Sequence, residues 1–123
     1  MEQVPTPQTS RSDELFATVL ALANDVLGSS TEVAVCGVGC GGPMTRNGER
    51  VSPLNIPAWR EFPLREQLRE GLGMGVHIEN DAKALALGEA WFGAGKNLSN
   101  FLAMVISTGI GGGLFVDGRL LDG

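Results

Sequence analysis

The sequence predicts an α/β fold, because helical and strand patterns alternate along the chain. Long segments with apolar residues at helical spacing are separated by short segments rich in β-branched residues. The 18 glycines collect beside these segments rather than forming a linker, which indicates tight turns and close backbone approach. A length of 123 residues is enough for one domain with its own core.

Charge and composition restrict the class of function. The net charge of −5 disfavours nucleic acid and anionic membranes as partners. No apolar run reaches the roughly 18 residues that span a bilayer, and the start is polar, so we expect a cytoplasmic protein without a membrane segment. Cys36, Cys40 and the single His77 are too few for a zinc site or a serine-hydrolase triad, although a redox pair is an alternative. We expect Cys36 to be buried, His77 to be structural and no side chain to be a metal ligand.

The first part of the chain is predicted to contain two helices and three strands. The helices are residues 12–27, which end at Gly28, and residues 64–72, which follow Pro63. The strands are residues 33–38, 51–56 and 76–78. The glycines after the first strand run into Pro43 rather than into a helix, so a dinucleotide fingerprint fails. A ligand loop and a structural turn are both compatible with that segment.

The stretch Glu79-Asn80-Asp81 stands where a strand pattern turns into an alanine-rich helical pattern, residues 81–92. An aspartate in the first turn lies at the positive end of the helix dipole, so Asp81 is a candidate proton acceptor near pH 7. Asn80 is a good N-cap, and its amide can also donate to a ligand hydroxyl. The alternative is that both residues only begin the helix. The helix is apolar nearly all round, which predicts burial between layers.

A glycine-rich hairpin is predicted near the end of the chain. Strands at residues 101–106 and 114–116 are joined by Thr108 and glycines, and Asp117-Gly118 forms a further turn. Exposed amides of such a hairpin can converge on an anion, and Thr108 adds a hydroxyl. A plain turn is the alternative.

Together these motifs resemble the ROK family of sugar kinases, within the group that shares the actin-like, ribonuclease-H-like ATPase fold. The matching stretches are Gly39-Cys40-Gly41-Gly42-Pro43, Asn55-Ile56-Pro57-Ala58-Trp59, Glu79-Asn80-Asp81-Ala82 and Thr108-Gly109-Ile110-Gly111-Gly112-Gly113. The resemblance implies a partial fold, with residues 1–94 as the remainder of an N-terminal lobe and residues 95–123 as the start of a C-terminal lobe. The family's first phosphate motif and its later sugar-binding motif find no match, so we expect the middle of a kinase, cut at both ends.

The resemblance implies ATP-dependent phosphorylation of a hexose or N-acetylhexosamine, with Mg²⁺ as the accompanying ion. Asp81 would be the general base and, with Gly42, Asn55 and Asn80, would contact the sugar. The residues implied for the ATP phosphates are Thr108, Gly109, Gly111, Gly112 and Gly113. A complete protein is expected to form a homodimer. The alternatives are the body of a sugar-sensing ROK regulator and an inactive remnant.

Overall fold

The computed structural model describes residues 1–30 and 32–121. The chain forms two compact units, Met1–Ile78 and Glu79–Gly123. The lobe boundary expected after residue 94 concerns the larger fold and stays a prediction.

The first unit contains two helices and a two-stranded sheet. Helix α1 is Ser12–Leu27 and helix α2 is Leu64–Leu72, with the bounds that the apolar spacing predicts. Strand β1 is Val35–Cys40 and lies beside strand β2, Gly75–Asn80, which continues to the first residues of the second unit. Ahead of α1, Arg11 donates two hydrogen bonds to the Asp13 carboxylate, and these lower the pKa of Asp13.

The core of the first unit is built from large side chains. Leu64 and Leu68 are each only 2% exposed, and they lie one turn apart on the inner face of α2. The Trp59 ring stacks on Phe62 with 4.8 Å between ring centroids, and its Nε1 donates to the carbonyl of Ser12. Burying each such leucine contributes about 1.5–3 kcal/mol relative to leaving it exposed. The first unit therefore covers its own core.

Two expectations for the first unit are wrong. Residues 51–56 do not form a strand: Val51 makes isolated bridges to Met44 and Phe62, and the chain then turns. Pro53 supplies no N–H for a continued ladder. Cys36 is half-buried, and it is Cys40, on the same face of β1, that is buried.

The second unit contains helix α3, Asp81–Phe92, and an antiparallel sheet. The strands are β3, Phe101–Ile106, β4, Ile110–Val116, and β5, Arg119–Leu120, in the order β3-β4-β5. The hairpin register runs from Phe101 opposite Phe115 to Ile106 opposite Ile110. Strand β4 thus begins four residues earlier than predicted and includes all three glycines at 111–113, while β5 was not predicted.

The core of the second unit is built mainly from small side chains. Ala86 is fully buried, Ala103 is nearly so, and the Phe115 ring stacks on Phe101 with 4.7 Å between centroids. Helix α3 buries one narrow face, and Trp91 is 62% exposed. The expectation that α3 is buried between layers is therefore wrong for the described residues. The outward face of the hairpin is also exposed and apolar: Leu102, Met104, Ile106, Ile110, Leu114 and Val116.

Candidate functional site

The start of α3 holds the candidate general base in a hydrogen-bonded cap. Asn80 Oδ1 accepts from the backbone N–H groups of Ala82, at 3.1 Å, and Lys83, at 3.4 Å. Asp81 Oδ1 accepts from the same N–H of Ala82 at 2.8 Å, which fixes the direction of an otherwise exposed carboxylate. Because Asn80 Oδ1 is used by the cap, the Nδ2 donor is the part of that amide suited to a ligand oxygen.

Glu79 gives this cap a further contact that the sequence did not indicate. Its Oε1 accepts from the backbone N–H of Asn80 at 2.9 Å, at the junction between β2 and α3. Glutamate side chains that accept a neighbouring N–H stabilise the turn into a helix, because such groups have no partner within the helix. Glu79 therefore helps to hold the residue that caps α3.

The hairpin turn between β3 and β4 presents the candidate phosphate ligands. The N–H of Ser107 donates to the carbonyl of Gly109 at 2.9 Å, so the turn is tight. Thr108 and Gly109 are exposed, and no other part of the described chain lies within 4 Å of the position of a Cβ on Gly109. An exposed hydroxyl and an open glycine backbone suit a phosphate-bearing ligand.

The second unit brings the catalytic candidate and the hairpin together. A Cβ built on Gly111 would lie 2.9 Å from the Cβ of Ala82, so α3 lies directly on the backbone of β4. Ala82 follows Asp81, and Gly111 is two residues after Gly109. This contact therefore places the start of α3 beside the end of the hairpin that carries the turn.

The remaining candidates, Gly42 and Asn55, belong to the first unit. The N–H of Leu54 donates to the carbonyl of Gly42 at 3.3 Å, and the N–H of Ser52 donates to the carbonyl of Pro43 at 2.8 Å. These bonds bring the two loops together. Asn55 is exposed at the surface of its loop.

Arg60 organises the Asn55 loop, although none of the sequence motifs includes it. Its Nη1 donates to three backbone carbonyls of that loop: Pro53 at 3.0 Å, Ile56 at 3.1 Å and Trp59 at 2.7 Å. A guanidinium that binds several carbonyls holds a segment in one conformation without regular secondary structure. The only sequence signal was an arginine directly after the Trp59 that anchors the loop in the core.

A separate cleft of about 460 Å³ lies elsewhere in the first unit. Its lining includes Arg50, Arg65, Arg69 and His77 together with Glu49 and Glu66, and none of the predicted site residues. His77 is exposed there, and Arg65 forms an ion pair with Glu49 at 3.2 Å.

Residues 1–30 and 32–121 contain no group of three histidine, cysteine, aspartate or glutamate side chains arranged to hold a metal ion. Within the same residues, no helix combines the length and apolar character needed to cross a membrane.

A protein-family model described as "ROK family" matches residues 1–123 of this sequence. This chain belongs to the ROK family. The family predicted from the four motifs is thereby confirmed.

Similar proteins include sugar kinases of two kinds. A glucokinase of Thermotoga maritima is 45% identical over 94 residues, covering 75% of this chain and 29% of its own length. An N-acetyl-D-glucosamine kinase of Pectobacterium carotovorum is 34% identical over 122 residues, covering 99% of this chain and 40% of its own length. This ROK chain therefore spans well under half the length of these curated relatives.

A solved structure shows which fold the chain shares. The crystal structure of a ROK family glucokinase from Streptomyces griseus, in complex with glucose and AMPPNP, superposes with a TM-score of 0.84 and 28% identity. The superposition covers 98% of this chain and 38% of that chain. The predicted α/β, actin-like ATPase fold is confirmed for the part that this ROK chain represents.

Proposed function

We propose that the protein transfers a phosphoryl group from ATP to a hydroxyl of a hexose or N-acetylhexosamine. The observation that carries the proposal is the pairing, within one compact unit, of Asp81 at the start of α3 with the hairpin on which α3 packs. Membership of a family that includes glucokinases and N-acetylglucosamine kinases supports it.

Asp81 is the proposed general base. Its carboxylate is exposed, so a sugar can reach it, and the hydrogen bond from Ala82 fixes one of its oxygens. The carboxylate also lies in the first turn of α3, at the positive end of the helix macrodipole. Asp81 therefore takes the proton of the attacking hydroxyl, and its fixed direction orients that hydroxyl.

Asn80, Gly42 and Asn55 are proposed to contact the sugar. The Nδ2 group of Asn80 offers donors to sugar oxygens while its Oδ1 remains on the helix cap. Gly42 and Asn55 lie on loops joined by the bond from Leu54 to Gly42, so they would act on the ligand as one surface. The Arg60 contacts keep the Asn55 loop in place before a ligand arrives.

Thr108 and Gly109 are proposed to hold the phosphates of ATP. Both are exposed, and the open space at Gly109 leaves the backbone accessible to a phosphate, which supports this proposal. When bound, ATP with Mg²⁺ supplies the phosphoryl group and the positive charge that its transfer requires. A direct role of Gly111, Gly112 and Gly113 in phosphate binding stays a prediction. So do the cytoplasmic location and the homodimer.

The direct test measures ADP release by the full-length protein with ATP and Mg²⁺. The sugars tested are glucose, N-acetylglucosamine and N-acetylmannosamine. We expect release that depends on one of these sugars, with a phosphate ester visible by ³¹P NMR. A protein that binds a sugar but releases no ADP would favour the regulator alternative. A folded protein that binds no sugar and releases no ADP would favour the inactive remnant.

A further inference from the structure

Two glycines of the hairpin face the helix that carries Asp81. Gly111 and Gly113 are two positions apart in β4 and therefore lie on the same face of the strand. Ala82 and Ala86 are four positions apart in α3 and therefore lie on the same face of the helix. Ala82 is 4% exposed and Ala86 is fully buried, so the two faces pack tightly.

The short distance between α3 and β4 depends on the absence of a side chain at Gly111 and Gly113. A Cβ on Gly111 would lie 2.9 Å from Ala82 Cβ, and a Cβ on Gly113 would overlap Ala86 Cβ. Ordinary carbon contacts need about 3.5–4.0 Å, so an added methyl group would push the elements apart by about 1 Å. Alanine offers no flexible end that can move aside.

Gly88 and Gly109, in the same unit, do not have this constraint. Nothing in the described chain lies within 4 Å of a Cβ built on Gly109, in the turn, or on Gly88, in α3 itself. Glycine at 111 and 113 is therefore required by the helix, whereas at Gly109 the backbone is open to a ligand.

The strand pairing agrees with this division. Gly111 is opposite Val105 and Gly113 is opposite Ala103 within the antiparallel ladder, while Thr108 and Gly109 lie outside it. Backbone groups within a ladder are engaged with the partner strand, and those in a turn are open to a ligand.

We propose that Gly111 and Gly113 are positioning residues for the phosphoryl transfer. By lacking a Cβ they let α3 lie on β4, and this sets the distance between the Asp81 carboxylate and the turn at Thr108 and Gly109. The inference rests on the proposed function of these groups. In this proposal Gly111 and Gly113 set the distance between the reacting groups, and the turn at Thr108 and Gly109 makes the direct contact with phosphate.

The test moves a methyl group from one side of the α3–β4 contact to the other, in the full-length protein. Gly113→Ala adds a methyl group to β4, Ala86→Gly removes one from α3, and the double variant moves the methyl group from one side to the other. Gly88→Ala is the matched control, since it adds a methyl group to α3 in open space. A second exchange uses Gly111→Ala with Ala82→Gly. Steady-state kcat and KM for ATP are measured for each protein with the sugar it prefers.

We expect Gly113→Ala to lower kcat by about 10- to 100-fold, the loss typical of a 1 Å misplacement. The KM for ATP should change by less than about threefold, because ground-state binding at the turn is retained. The double variant should recover most of kcat, and Gly88→Ala should leave both constants unchanged. A raised KM for ATP that Ala86→Gly does not restore would overturn the proposal and indicate direct phosphate contact. An unchanged kcat in Gly113→Ala would overturn it as well.

Amide NMR spectra of the same proteins keep the test independent of turnover. Gly113→Ala should shift the resonances of Asp81, Thr108 and Gly109, and the double variant should return them towards their original positions. If Gly113→Ala does not fold, recovery of a folded spectrum by the double variant supports the contact, and failure of the exchange at both glycines contradicts it. A protein without sugar-dependent ADP release but with these shifts would refute the proposed function and retain the spacing.

Discussion

The two compact units differ in the size of the side chains that they bury. The first unit closes its core with Leu64, Leu68, Val51 and Trp59, whereas the second unit buries Ala82, Ala86 and Ala103 around a single phenylalanine pair. Large side chains remove more apolar surface from water, and small ones let backbones approach closely. The first unit is therefore organised for stability, and the second for the close placement of α3 on β4.

The second unit also leaves an apolar surface exposed, on the outward face of its β3–β4 hairpin. In the second unit every outward side chain of the β3–β4 hairpin, apart from Gly112, is a large apolar group that is exposed in this chain. The second unit therefore places Asp81 and the hairpin turn close together without burying this apolar face.

The largest effect expected from this contrast is on stability. Leu64→Ala should lower the free energy of unfolding by about 2–5 kcal/mol, because it removes apolar contacts and leaves a cavity in the core. Leu102→Ala, at a leucine that is 59% exposed on the hairpin, should change it by less than about 0.5 kcal/mol. Urea unfolding followed by circular dichroism gives both values. Equal losses in the two variants would contradict the contrast between the units.

A smaller effect is expected on the exposed apolar face. Leu102→Lys combined with Leu114→Glu places an ion pair across the hairpin, since these residues are opposite each other. The binding of the dye ANS, which reports exposed apolar surface, should fall. Val26→Lys removes one exposed apolar residue from α1 in the first unit and should leave ANS binding nearly unchanged. An equal fall in both proteins would show that the hairpin face is not the main apolar surface.

The smallest effect concerns the start of α1, at the surface of the first unit. The hydrogen bonds from Arg11 lower the pKa of Asp13, so this pair stabilises the fold above the ordinary pKa of an aspartate and loses its effect as the pH falls through the lowered value. Arg11→Gln should raise the pKa of Asp13 towards its ordinary value, as measured by NMR titration. An unchanged pKa would assign the shift to the backbone of α1 instead.

Much of the framework was predictable because local signals mark its boundaries. Helices α2 and α3 have the predicted bounds, since Pro63 and Gly73 flank one and Asn80 caps the other. Strand β3 also has its predicted bounds, as a short apolar run between polar segments. These signals depend only on the residues nearby.

The incorrect predictions concern segments whose conformation depends on contacts between residues distant in sequence. Glycines 111–113 suggested a loop because glycine has low strand propensity, yet they lie in β4, where α3 leaves no room for side chains at 111 and 113. Residues 51–56 suggested a strand from apolar content alone, and the Arg60 contacts that shape that loop have no local signal. The candidate residues at Asn80, Asp81 and the hairpin were found from motifs, whereas the spacing between them required the structure.

The most direct test of the account compares chemistry with binding in Asp81→Asn, in the protein as encoded. Sugar-dependent ADP release should fall by about 10²–10⁴-fold, the usual contribution of a general base, while calorimetry should show sugar affinity close to that of the unchanged protein. Asp117→Asn is the matched control: this exposed aspartate lies in the β4–β5 turn at φ 51°, a conformation that asparagine also adopts, and its replacement should leave ADP release unchanged. Retained ADP release in Asp81→Asn would contradict the role of Asp81.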